Sequence, residues 1–249
     1  MSDFYDDLAP YYKLIYQDWE ASVARQAAIL DGVIREYFGE TVHSILDAAC
    51  GIGTQCIGLA ARGYQLAASD ISQAELEQAR AQAEQRGLKI SFQLADMRQL
   101  RSHYPEPFDL VIACDNAVPH LLTDHEIVQT FGQFFACTTP GGGCIISVRD
   151  YDEVEKGGRV MHPRTVHETQ DGKVLMLDLW EFDGDYYDLT MYVVSDHGAQ
   201  QPTTQAIRGG RYYCVGLTRL QELMKQAGFK RVVVLRDRFF QPLLIGMKV

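Results

Sequence analysis

The sequence predicts an α/β fold, a parallel sheet wrapped by helices, with a smaller antiparallel sheet inserted late in the chain. Three observations predict it. Between Ser44 and Ser147, apolar strand-like runs alternate with helical patterns. Glycines occupy the passage from the first run into a helix, and beyond residue 150 the apolar pattern changes to period two. The core runs are Ser44 to Ala49, Gln65 to Asp70, Lys89 to Leu94, Phe108 to Ala113 and Cys144 to Val148, with helices expected at 54–62, 72–86 and 124–138. Arg86-Gly87 and Pro140-Gly141-Gly142-Gly143 read as turns between them.

Ahead of this core, Tyr5, Leu8, Tyr12, Ile15, Tyr16, Trp19 and Val23, then Ile29, Leu30, Val33, Ile34 and Tyr37, recur at roughly helical spacing and predict a helical N-terminal cap. After it, Lys173 to Phe182, a turn at Asp183-Gly184-Asp185, and Tyr186 to Ser195 read as an antiparallel hairpin, the centre of an inserted lid. Thr218 to Ala227 reads as a helix ended by Gly228, and Arg231 to Leu235 and Pro242 to Met247 as adjacent antiparallel strands. The chain is thus expected to be one domain over 1–249, with a cap at 1–43, a core at 44–150 and 216–249, and a lid at 151–215.

Composition narrows the class. The 249 residues are 47% hydrophobic and 22% charged, which suits a globular chain able to bury a core without disulfides. Cysteines at 50, 56, 114, 137, 144 and 214 contain no C-x-x-C and mostly sit in apolar runs, as reduced core thiols do. No apolar run approaches the ~18 residues of a membrane span, and MSDFYDDLAP is acidic where a signal peptide would be basic. No membrane association and a cytoplasmic location are expected. The net charge of -10 repels phosphate backbones, so no nucleic-acid partner is expected.

The segment Asp47-Ala48-Ala49-Cys50-Gly51-Ile52-Gly53-Thr54 joins a strand to a helix through two glycines, which lets a ligand touch backbone and meet free N–H groups. A dinucleotide site wants G-x-G-x-x-G, and the third position here is Cys56. Asp70 closes the second strand, where a carboxylate can accept from both ribose hydroxyls; alternatively it caps the next helix, a task Ser72 can also perform. Asp96 and Met97 follow the third strand as an adenine station or, equally, as a loop acid and a core methionine. Cys114-Asp115-Asn116-Ala117-Val118-Pro119-His120 follows the fourth. These stations share the rim where open α/β sheets bind ligands.

Taken together they resemble the class I methyltransferases that use S-adenosylmethionine, over 44–150 and the closing strands 229–249. The resemblance implies a Rossmann-like, seven-stranded, mostly parallel sheet with an antiparallel C-terminal strand, and S-adenosylhomocysteine as product. It also implies a cofactor site of Tyr16, Arg25, Asp47, Ala49, Gly51, Gly53, Asp70, Ile71, Asp96, Met97 and Cys114. No Asn/Asp-Pro-Pro-Tyr tetrapeptide follows the fourth strand, a departure from the amine-methylating nucleic-acid branch.

A narrower resemblance joins Asp115 to Leu121, Val148-Arg149-Asp150-Tyr151-Asp152 and Arg211-Tyr212-Tyr213-Cys214 to glycine and glycine/sarcosine N-methyltransferases. It implies that Arg149 binds the substrate carboxylate, that Asn116 helps hold the amino acid, and that His120, Tyr212 and Tyr5 belong to the same site. His120 then orients the reactants or takes a proton, and otherwise packs beneath the lid. Arg149 clamps a carboxylate or pairs on the surface with Asp150 or Asp152. Only one of Tyr212 and Tyr213 can face the pocket if that segment is extended. The other histidines show no metal-ligand spacing, so no metal is expected. The small-molecule acceptor can also be an oxygen or carbon nucleophile, or the chain a non-catalytic cofactor-binding module; a homo-oligomer sharing its lid remains open.

Overall fold

The computed structural model describes residues 2–198 and 201–249. The N-terminal cap is built from α1 (Ser2–Leu8), a 3-10 turn (Ala9–Ile15) and α2 (Trp19–Phe38). Asp18 caps α2 by accepting from the Ala21 N–H at 2.9 Å, and the helix ends at Gly39, whose φ of 78° favours glycine. The core alternates β1 (Ser44–Asp47), α3 (Thr54–Ala60), β2 (Gln65–Asp70), α4 (Gln73–Gln85), β3 (Ile90–Leu94), α5 (Leu100–His103), β4 (Phe108–Ala113), α6 (Asp124–Ala136) and β5 (Thr138–Ser147). Four long strands follow, β6 (Arg159–Thr169), β7 (Gly172–Asp183), β8 (Tyr186–Asp196) and β9 (Thr203–Tyr213), and then α7 (Leu217–Gln226), β10 (Lys230–Leu235) and β11 (Leu243–Met247).

The main sheet runs β10-β11-β5-β4-β1-β2-β3, with β11 antiparallel to both of its neighbours and the other pairings parallel. Strand periodicity divides its core in two. Ile45, Leu66, Ala68, Leu110, Ile112 and Ile145 face α2 and α3, whereas Leu46, Ala67, Val111, Ala113, Cys144 and Ile146 face α6 and α7. A third core lies between α1 and the four-stranded antiparallel sheet β6-β7-β8-β9, around Phe4, Leu8, Trp180, Tyr187 and Leu189.

The strand order reverses between β1 and β4, so the loops at their carboxyl ends open the crevice where ligands bind such sheets. One expectation fails here: Pro140-Gly141-Gly142-Gly143 lies inside β5 and is not a separating turn. The glycines serve close approach, because a Cβ at Gly142 would collide with the Asp109 carbonyl and one at Gly143 with Phe38 and the Gly246 carbonyl.

Candidate active site

The loop after β1 holds its shape through Asp70. One Asp70 oxygen accepts from the Gly51 N–H at 2.8 Å and the other from the Ser72 N–H at 3.0 Å. Gly51 and Gly53 have φ of 51° and 94°, and a Cβ on Gly53 would lie 2.7 Å from Ile57. Ala49, Gly51, Asp70, Ile71, Met97, Cys114 and Tyr16 line one cavity here, together with Thr54, Gln55, Glu75, Ala117 and His120. Ser72 caps α4, so Asp70 is free of that task and braces the glycine loop from the end of β2.

Beyond this cavity lies a second, of about 280 Å³, under the inserted sheet, walled by Asn116, Arg149, Arg164, Trp180, Tyr187, Tyr212 and Gln241 among others. Tyr5, Tyr12 and Asp115 wall both. Asp115 stands at their junction in a left-handed conformation, with φ of 57°. Its carboxylate accepts from the Tyr16 hydroxyl at 3.0 Å and the Gln241 amide at 3.4 Å. Burial pushes its carboxyl up, against the Tyr16 bond and the nearby Arg164 and Arg149 charges, which lower it.

Arg149 is held by a ring of contacts. Its N–H donates to the Asn116 side-chain oxygen at 3.0 Å, Asn116 donates to the Tyr151 hydroxyl at 2.7 Å, and the guanidinium donates to the Tyr187 hydroxyl at 3.3 Å. The guanidinium lies 4.4 Å from the Trp180 ring centroid. Asp150 pairs with Arg236 at 3.1 Å, so the surface pair of Arg149 with its acidic neighbours is not formed. Asn116 lines the second cavity while its amide oxygen and one amide hydrogen shape the loop that carries Arg149. Tyr212 stacks on Tyr187 with ring centroids 4.9 Å apart, Tyr187 stacks on Trp180 at 4.5 Å, and Tyr213 turns away to Asp124.

His120 is buried where the cavities meet α1. Its Nδ1 lies 3.2 Å from the Arg211 carbonyl oxygen, which can only accept, so Nδ1 carries the proton and Nε2 accepts from the Tyr5 hydroxyl. Tyr5 in turn contacts the Tyr212 hydroxyl at 3.3 Å. Burial lowers the His120 imidazole to about 4, which keeps it neutral.

Four of the residues assigned to the cofactor by resemblance fall outside the cavity lining. Arg25 is exposed on α2 and donates to Ser22 at 3.2 Å, because the buried face of that helix is Val23, Gln26, Ala27 and Leu30. Asp96 is occupied by Arg98, at 2.6–3.1 Å, and caps a 3-10 turn (Met97–Gln99). Gly53 shapes the loop from behind. Asp47 is wholly buried at the end of β1, and burial pushes its carboxyl up to about 7 against the nearby Ala49 and Cys56 backbone N–H groups, which lower it.

The sequence points to Asp115 only as part of the segment after the fourth strand and to Tyr12 only as one position of the aromatic stripe in the cap, and it singles out none of Glu75, Arg164, Trp180, Tyr187 and Gln241. Asp115 carried the signal of its place after β4. Glu75 was hidden in Ser72-x-x-Glu75, the pattern of a helix capping box. The rest come from strands and a loop whose convergence has no local signature.

The first cavity fits the cofactor that the resemblance implied. Its glycine loop brings the backbone of residues 49–52 to the cavity wall, and Asp70 and Glu75 offer carboxyl groups to hydroxyl or cationic donors. Among the described residues no group of acids, histidines and cysteines is arranged to hold a metal ion, and no helix is long and apolar enough to cross a membrane.

Comparison with known proteins agrees with this geometry. The family described as "Methyltransferase domain" matches residues 45–142. A relative named glycine/sarcosine N-methyltransferase, from Aphanothece halophytica, is 27% identical over 146 residues, covering 58% of this chain and 54% of that protein. The chain thus spans about half the length of that curated relative. Among solved structures, DesVI of Streptomyces venezuelae superposes with a TM-score of 0.83 at 19% identity, over 97% of this chain and 98% of that one. CalS10 of Micromonospora echinaspora, described as an amino pentose methyltransferase and solved with S-adenosylmethionine bound, superposes at 0.79 with 18% identity, over 94% and 98%.

Proposed function

We propose that the chain, whose residues 45–142 match the family described as a methyltransferase domain, is an S-adenosylmethionine-dependent methyltransferase acting on the nitrogen of a small amine that bears an anionic group. The observation that carries this reading is the junction of the two cavities at Asp115, Tyr5 and Tyr12, with the glycine loop and Asp70 on one side and Arg149 on the other. When bound, the cofactor supplies a methyl group on a positively charged sulfur that leaves as a neutral thioether. Asn116, Asp115, Tyr16 and Arg149 fall to this chain to do the rest.

Arg149 clamps the anionic end of the acceptor. Its guanidinium is planar, always charged and fixed by Tyr187 and Trp180 before the acceptor arrives. Asp115 faces the acceptor nitrogen, accepts its N–H and thereby aims the lone pair at the cofactor side. The same carboxylate stabilises the positive charge as it moves onto nitrogen, and Tyr16 and Gln241 hold it in place. Asn116 acts by shaping the Arg149 loop. His120, neutral and committed to Arg211 and Tyr5, fixes the Tyr5 hydroxyl at the junction; it is a positioning residue and not a base near neutral pH. The closed aromatic walls keep water from the reacting atoms.

Glycine and sarcosine are the smallest acceptors that meet these demands, and the name of the Aphanothece halophytica relative supports them. A second reading, an amine on a ring, is favoured by the size of the acceptor cavity and its stacked aromatic wall. About 280 Å³ approaches the ~300 Å³ of pockets for much larger ligands. The solved CalS10, named for an amino pentose, points the same way.

Titration with S-adenosylmethionine, followed by detection of S-adenosylhomocysteine against glycine, sarcosine, other amino acids, amino sugars and phenols, tests the proposal. Product with an amine is the expected result. Product only with phenols would overturn the amine assignment, and binding without product would leave a cofactor-binding module.

A further inference from the structure

Glu75 is a buried carboxyl, only 1% exposed, in the first turn of α4, and nothing in the fold accounts for it. Its backbone N–H donates to the Ser72 hydroxyl at 3.1 Å, the ordinary half of a capping box. The other half would be Glu75 reaching back to the Ser72 N–H, and that N–H is already taken by Asp70 at 3.0 Å. The Glu75 side chain has instead swung to line the cavity under the glycine loop. Its Oε1 is buried with no hydrogen-bond partner among the described residues. Its Oε2 lies so close beneath Gly51 that a Cβ there would be 3.3 Å away.

Among the described residues no cation compensates this group. The charges acting on it are those of Asp70, Asp6 and Asp115, all acidic, and with burial they push its carboxyl well up. A buried carboxyl without a partner is costly, so its place in the apo chain calls for donors that arrive with a ligand. Gly51 locates them, because Asp70 bonds the Gly51 N–H on one side and Glu75 abuts the same residue on the other. Two carboxyls flanking one glycine match two neighbouring hydroxyls on one ring.

We propose that Glu75 is a cofactor-binding residue that hydrogen-bonds one hydroxyl of the cofactor ribose, the other being taken by Asp70. This rests on the reading of the first cavity as the S-adenosylmethionine site. Glu75 therefore sacrifices stability of the empty protein for recognition of the adenosyl group.

The test is calorimetric titration of the full chain with S-adenosylhomocysteine and with its 2′-deoxy and 3′-deoxy analogues, using wild type, Glu75→Met and Glu75→Ala. Alanine covers the case in which methionine overfills the cavity. The folded variant is expected to bind S-adenosylhomocysteine about tenfold more weakly, the scale of leaving one buried hydrogen-bonding group without its partner. On the analogue lacking the hydroxyl that Glu75 takes, variant and wild type should differ by less than about twofold. The apo variant should also melt about 2–4 °C above wild type, since it loses a buried unpaired carboxyl. Unchanged affinity, or a loss of equal size on both deoxy analogues, would overturn the assignment. Failure of wild type itself to bind S-adenosylhomocysteine would overturn it together with the cofactor site, and only that outcome touches both.

Discussion

Arg149 and Asp70 line different cavities on either side of one junction, so under the proposed function their losses should separate cleanly in kinetics. Arg149→Lys keeps the charge but not the planar fork. It is expected to raise the acceptor KM on the order of 10-fold or more while leaving the dissociation constant of S-adenosylmethionine unchanged. A matching fall in cofactor affinity would place Arg149 elsewhere in the mechanism. Asp70→Ala should do the reverse, weakening cofactor binding by roughly 1.5–3 kcal/mol, because it removes a charged acceptor and releases the Gly51 and Ser72 N–H groups from their brace. Titration calorimetry reads that loss directly. At this scale the sequence was legible in position: Asp70 and Arg149, read as lying at the carboxyl ends of their strands, each line a cavity there. For Asp96 and Arg25, local pairing with Arg98 and the orientation of α2 set where the side chains lie, and neither is written in a local pattern.

Of the two helices of the cap, only α1 lines the cavities, through Phe4, Tyr5 and Leu8. Helix α1 is latched to α4 through Asp6, whose carboxylate accepts from the Ser72 hydroxyl at 2.6 Å and the Ala74 N–H at 3.2 Å. Phe4 and Leu8 anchor its other face in the small-sheet core. Tyr5 on this helix walls both cavities, so a shift of α1 would change access to both. Asp6→Ala removes a cap-like interaction of about 1 kcal/mol and should speed cofactor release roughly fivefold, measured by stopped-flow displacement, with little change in chemistry. Helix α2 is seated differently, by contact with α3. A Cβ at Gly58 would lie 2.6 Å from the Ala27 Cβ and 2.8 Å from the Val23 carbonyl oxygen. Gly58→Ala should therefore cost about 1–3 kcal/mol by overpacking, seen as a lower denaturation midpoint. The aromatic spacing of the cap was visible in the chain. Its break into α1, a 3-10 turn and α2, with Asp6 reaching across to α4, was not.

At the scale of the molecule, buried acids around one cavity set the response to pH. Asp47 ionises near 7 in the folded chain, well above the ordinary carboxylate range, so its contribution is fully present near pH 4 and is lost as pH rises through 7. Asp70, Glu75 and Asp115 are raised in the same way by burial. His120 opposes them: its folded value is about 4 against an ordinary 6.5, so its contribution is present above 6.5 and lost as pH falls toward 4. Four raised acids outweigh one lowered histidine, because every tenfold change in a group's proton affinity on folding is worth about 1.4 kcal/mol. The apo protein is expected to melt at a higher temperature at pH 5 than at pH 8, and Asp47→Asn should flatten that slope. A melting temperature that rises steadily from pH 5 to pH 8 would contradict it.

By itself the sequence determined the parallel core, the glycine loop, the reversed final strand and the hairpin of the insertion, because each is written in periodicity and turn residues that act over a few positions. The full four-stranded sheet was less legible. Its β6 runs Arg159–Thr169 and its β9 Thr203–Tyr213, and neither carries a clean alternation between buried and exposed positions. Only the tertiary structure decided that Trp180, Tyr187 and Tyr212 stack beside Arg149, that Asp115 stands between two cavities, and that Glu75 leaves its cap to face one of them. Those outcomes depend on the register of paired strands and on the competition of Asp70 with Glu75 for a single N–H. Such interactions join residues far apart in the chain, and no local pattern encodes them.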